Sequence, residues 1–151
     1  MKINNDQTLK NALNNLSREQ QRLLAAHFTQ SVSGPVDNPR LTGALKVALL
    51  PESTEQELKD AFKVAKSIAT KTYNACGHDA DWGLQAEHFI AAACAAALTP
   101  DALTAETFNP AWKAAIQSRM AKNCQIIESD FGELENEADR QYRLTEVFLE
   151  K

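Results

Sequence analysis

Apolar residues recur along this chain at spacings of three and four, and polar capping residues stand between the runs. That period belongs to amphipathic helices, and no β-branched stretch alternates as a strand would. Leu9, Ala12, Leu13 and Leu16 predict a short first helix near 8–16. Ser17 with Gln20 forms a capping box for a second, which carries Leu23, Leu24, His27, Phe28, Ser31 and Val32 and stops at Ser33-Gly34-Pro35. Asn38-Pro39 is a cap followed by proline at the first helical position, opening a third helix with Leu41, Ala44, Leu45, Ala48 and Leu49 inward. Thr54 with Glu57 caps a long fourth, whose stripe of Leu58, Ala61, Phe62, Ala65, Ala69, Thr72, Tyr73 and Cys76 leads to Gly77 as its natural stop.

From Trp82 to Leu98 nearly every face is apolar and most side chains are small. A helix apolar all round is a buried one, so this fifth segment is expected at the centre of the bundle. A linker through Thr99-Pro100 leads to Asn109-Pro110, a second cap-plus-proline start. The sixth helix follows to about Glu128, with Trp112, Ile116, Met120 and Ile127 as its apolar marks. Asp130 with Glu133 would cap a seventh, carrying Leu134, Ala138, Tyr142, Val147 and Phe148. The expected fold is an all-α, single-domain bundle of six or seven helices around a buried, alanine-rich central one.

Length and composition agree. A chain of 151 residues with 44% hydrophobic and 24% charged residues can bury a core of its own as one domain. Three cysteines, Cys76, Cys94 and Cys124, fit neither a disulfide framework nor a paired-thiol metal knuckle, and suggest reduced thiols in a cytoplasmic protein. The N-terminus has no apolar signal core, and the longest apolar run, Phe89 to Leu98, is 10 residues, too short to cross a bilayer.

Charge adds an asymmetry. Net charge is −4, yet Glu128 to Lys151 holds eight acids against three bases. An acidic last helix argues against nucleic acid, which selects clustered Lys and Arg, and admits a basic protein partner. Glu133, Glu137 and Asp139 are the candidate contacts on it, although acids near a helix N-terminus also complement its dipole. Lys59, Lys63 and Lys66 share one stripe of the fourth helix and read as a solvated face.

Catalytic chemistry is thinly marked. Cys76, His78, Asp79 and Asp81, with His88 beyond them, are residue types that a transition metal prefers, but no ligand pair repeats with a motif's spacing. The simpler account makes Asp79 or Asp81 a helix cap, and no cofactor is expected. His88 stands in an otherwise apolar helix and needs a polar partner there or at an interface. Cys94, six residues on, lies on another face, so the two do not form a dyad. Asp130-Phe131-Gly132 matches the kinase metal-binding triplet without the rest of a kinase.

Two stretches carry a likeness to known proteins. Asp37-Asn38-Pro39-Arg40-Leu41-Thr42-Gly43-Ala44-Leu45 and Ala86-Glu87-His88-Phe89-Ile90-Ala91-Ala92-Ala93-Cys94 resemble a family of small, alanine-rich, all-helical bacterial immunity proteins of polymorphic toxin systems. The likeness spans roughly residues 20–98. It implies a cytoplasmic, non-enzymatic domain that neutralises a toxin by direct binding. Cys94 stands where that family carries a second histidine, so only His88 and Arg40 are carried over, neither as catalytic. Self-assembly through Trp82, Trp112 or Phe131 is the alternative, and a metal- or thiol-dependent enzyme centred on the Cys76 to His88 region a second.

Overall fold

The computed structural model describes residues 2–73, 81–129 and 136–150, and the side chains of all of these except 128 and 129. Among them are seven α-helices, one short 3-10 turn and no strand: α1 (Asp6–Asn14), α2 (Arg18–Gln30), α3 (Pro39–Leu49), α4 (Glu55–Tyr73), α5 (Trp82–Leu98), the turn at Asp101–Leu103, α6 (Pro110–Ser129) and α7 (Glu137–Leu149). The expected single-domain all-α bundle is what the chain forms. No helix among the described residues is long and apolar enough to cross a membrane.

Caps set most of the helix starts. The Ser17 hydroxyl accepts from the Gln20 N–H while the Gln20 side chain accepts from the Ser17 N–H, closing the capping box of α2. Thr54 and Glu57 do the same for α4. Asn38 accepts from the N–H groups of Arg40 and Leu41, and Asn109 from those of Ala111 and Trp112, each ahead of proline. Such caps satisfy backbone donors that the helix leaves open, at about 1 kcal/mol each. At the ends of the chain the expectations shift. The cap of α1 is Asn5, which accepts from the Thr8 N–H, so the helix starts two residues earlier than the apolar pattern suggests. Asn136 caps α7, while Asp130 and Glu133 lie outside the described residues.

α5 packs against α6, α4, α2 and α3 and supplies the largest share of the main core. Its second half is buried on nearly all sides, through Ala93, Cys94, Ala95, Ala96, Ala97 and Leu98, whereas its first half leaves Leu84 exposed. A second core lies under α1, where Leu9, Leu13, Leu24, Phe28, Ala111 and Ala115 meet the half-buried Trp112, Tyr142 and Phe148. α2 and α6 stand between the two cores and feed both: Ala25 and Ala26 face one and Leu24 and Phe28 the other, as do Ala114 and Ala121 against Ala111 and Ala115.

Helix α6 consequently turns Met120 and Ile127 outward while Trp112 stays against the second core. Met120 is 43% and Ile127 50% exposed, and the buried face is Ala111, Ala114, Ala115, Ser118, Ala121 and Cys124. Small side chains there bring α6 close to α5, and close approach on two sides outweighs burying a few larger groups.

The α7 stripe is corrected in part: Tyr142 and Phe148 pack on the second core as expected, but the buried positions are the polar Glu137, Gln141 and Thr145, and Val147 is exposed. Hydrogen bonds satisfy that seam. The Gln141 amide donates to the Ala115 carbonyl at 2.9 Å and accepts from Arg119 Nε at 2.8 Å, and Glu146 accepts from the Ile3 N–H at 2.7 Å. Both Nη atoms of Arg119 pair with the Asp6 carboxylate at 2.9 and 3.1 Å, and the Tyr142 hydroxyl donates to it at 2.8 Å. One carboxylate thereby joins α1, α6 and α7.

Candidate functional site

The fourth helix has a wider apolar stripe than the bundle covers. Ala61, Ala65, Ile68, Ala69 and Thr72 are buried, but Phe62 is half-buried and Tyr73 is 68% exposed. These two residues stand along one edge of an open groove of about 1050 Å³. Its floor is α5, through His88, Phe89, Ala92, Ala95 and Ala96, with Thr99 just past the helix end, and its far wall is formed by Leu103, Ala105, Phe108, Lys113 and Gln117. Leu103 is 68% exposed.

The far wall is held from behind. Arg22 reaches the Ala97 carbonyl and pairs with Asp101 at 3.8 Å, Arg18 donates to the Phe108 carbonyl, and Asn109 donates to Asn14 Oδ1 at 2.9 Å. A connection whose carbonyls and side chains are tied to α1 and α2 can present Leu103 and Phe108 as a fixed surface.

His88 sits at one end of this groove. Its Nδ1 lies 2.9 Å from the Ala69 carbonyl and 3.1 Å from the Thr72 hydroxyl oxygen. A carbonyl only accepts, so Nδ1 carries the proton and donates, and Nε2 is the ring nitrogen left for a ligand. The ring also meets Tyr73 and Phe89 edge-on or tilted, with centroids 5.8 and 5.3 Å away. His88 is therefore both a satisfied polar group between α4 and α5 and a wall of the groove.

The groove's charge is one-sided. Among the described residues Lys66 on α4 and Lys113 on α6 line it, and no aspartate or glutamate does. Thr70, Tyr73 and Thr99 add hydroxyls to the lining, and among the described residues no cysteine or serine joins them. Cys94 lies on the buried side of α5, and burial pushes its thiol up to about 12, leaving it neutral and unreactive at ordinary pH.

The remaining candidates are dispersed. Arg40 is exposed beside a shallow depression between α3 and α4 with Gly43, Val47, Glu57 and Asp60. Glu137, 5% exposed, accepts from the Ser31 hydroxyl at 2.9 Å and pairs with Arg140 at 3.3 Å, so it belongs to the polar core and not to a contact surface. Asp139 is exposed. Asp81 caps α5 by accepting from the Leu84 N–H at 3.0 Å. Cys76, His78, Asp79, Glu133 and Phe131 lie outside the described residues. Among the described residues no three His, Cys, Asp or Glu side chains come together as a metal site would need. Trp112 is covered within the chain by Lys10 at 4.6 Å and Arg119 at 5.5 Å from its ring.

Sequence reasoning missed the groove's far wall, Leu103, Phe108, Lys113 and Gln117, and assigned Lys66 to a solvated stripe. The available signal was an apolar excess on α4, where Phe62 and Tyr73 widen the stripe beyond what one neighbouring helix covers.

Fold and groove together define an α-helical bundle with an open, apolar, cation-edged cleft. Comparison with protein-family models, with curated proteins and with solved structures gave no match for this chain.

Proposed function

We propose that this chain is a non-catalytic binding domain that holds a segment of another protein in the groove between α4, α5 and α6. The observation that carries the reading is the groove itself: half-buried Phe62 and exposed Tyr73 on α4 face exposed Leu103 and half-buried Phe108 across a floor of Phe89 and alanines. Apolar surface of this kind, rimmed by charge and fixed from behind, is the usual form of a protein contact site. The expectation of a basic partner on the acidic last helix loses ground, since Glu137 is spent inside the chain. The immunity-protein resemblance supplies one partner class, a toxin neutralised by direct binding. Its support is the likeness over residues 20–98, and the groove does not depend on it.

The test compares capture of proteins from the source cell by wild type, Ala92→Phe and Leu103→Asp. Ala92→Phe fills the floor, and Leu103→Asp puts a carboxylate on an exposed rim. A protein retained by wild type, lost with both variants and released as salt rises is the expected result, because lysines edge the groove. Equal recovery by all three chains would contradict the proposal.

A further inference from the structure

We infer, resting on the groove as the binding site, that its occupant is an amphipathic helix of about three turns from a protein partner, bearing carboxylates along both flanks. The length follows from the floor and the near wall. Phe62 to Tyr73 on α4 spans 11 steps along a helix, which at 1.5 Å per residue is about 16 Å, and the floor runs alongside from His88 on α5 to Thr99 just past its end. The width follows from the floor, where Ala92 and Ala96 let another backbone approach α5 as closely as small residues allow.

Conformation follows from hydrogen bonding. The groove is walled by helices and a short turn, with no strand edge among the described residues. An extended segment laid against these apolar walls would find few partners for its N–H and C=O groups, and each one desolvated without a partner is costly. A helix satisfies its own backbone and offers one apolar stripe, which is the helix-in-groove mode of recognition. Charge sets the flanks. Lys66 stands on one wall and Lys113 on the opposite one, with no acid lining the groove among the described residues, so carboxylates on both sides of the stripe meet a cation each.

The experiment selects displayed random 16-residue peptides on the full-length wild-type chain and measures the recovered peptides against Ala92→Phe, Leu103→Asp and the double variant Lys66→Glu/Lys113→Glu. The expected peptides carry apolar residues at i, i+3 or i+4, and i+7 with Glu or Asp on both sides, and gain helical circular dichroism on binding. They lose roughly tenfold or more in affinity for the double variant and fail to bind Ala92→Phe and Leu103→Asp. Groove-dependent peptides that are basic or non-helical would overturn this inference while leaving the groove as the site. Peptides indifferent to both groove substitutions would overturn the site itself. Two further outcomes count against a partner helix: a dimer of the wild-type chain in sedimentation that Ala92→Phe abolishes, and displacement of every peptide by a long-chain carboxylate at equal or tighter affinity.

Discussion

The half-buried Asp6 on α1 ties three helices together, since its carboxylate receives Arg119 from α6 and Tyr142 from α7. The Arg119 hydrogen bonds, more than any other influence, hold its carboxyl below the usual carboxylate range, against a smaller opposing effect of burial. Tyr142 moves the other way: burial, and then its hydrogen bond to Asp6, push the phenol up. A lowered carboxyl pKa stabilises the fold at pH above the unfolded value of about 3.9. That contribution disappears as pH falls through the lower, folded value. The phenol's contribution is present below its unfolded pKa and lost as pH rises through its raised folded one. The stability difference between wild type and Asp6→Asn, from denaturant titrations, should therefore be flat near neutrality, begin to shrink near about pH 4 and go on shrinking as pH falls through the lower, folded value. A difference unchanged in acid would mean that the Asp6 charge contributes nothing to the seam.

At the scale of the helix, caps were readable because they are local. Ser17 with Gln20, Asn38-Pro39, Thr54 with Glu57 and Asn109-Pro110 each act on backbone groups within three residues, and all hold in the structure. Gly43 allows a test of the same local physics. It lies inside α3, and a Cβ placed on it would meet nothing within 4 Å. Gly43→Ala should raise stability by about 0.5–1 kcal/mol through the lower entropy of the unfolded chain and better helix propensity. A fall in midpoint in thermal unfolding would contradict that. The faces of α6 and α7 were illegible for a different reason. Side-chain size points to Met120 and Ile127 on α6, but a helix packed on two sides buries the positions that allow the closest approach, Ala111, Ala114, Ala115 and Ala121. On α7, Thr145 is satisfied by the helix's own Gln141 carbonyl, whereas Gln141 is satisfied by Arg119 and the Ala115 carbonyl, partners that no local pattern reveals.

For the molecule as a whole, the all-α class and the central place of α5 were legible, because a segment apolar on every face has to be surrounded. The groove was not. It exists because α5, walled by α4 on one side and by α6 with the 99–109 connection on the other, has none of the described helices over Ala92, and which side of a central helix stays uncovered is decided by the whole arrangement. Lys66 illustrates the limit: its exposed stripe on α4 was plain from spacing, yet its place opposite Lys113 depends on where the connection returns. His88 was singled out correctly as a polar group needing a partner, and the Ala69 carbonyl is that partner. The most direct test of the groove as the binding site is the amide chemical-shift map of the labelled full-length chain titrated with a captured protein or selected peptide. The account predicts shifts concentrated in residues 62–73, 88–99 and 103–117; shifts concentrated instead on α7 and α1, with those three segments unmoved, would contradict it.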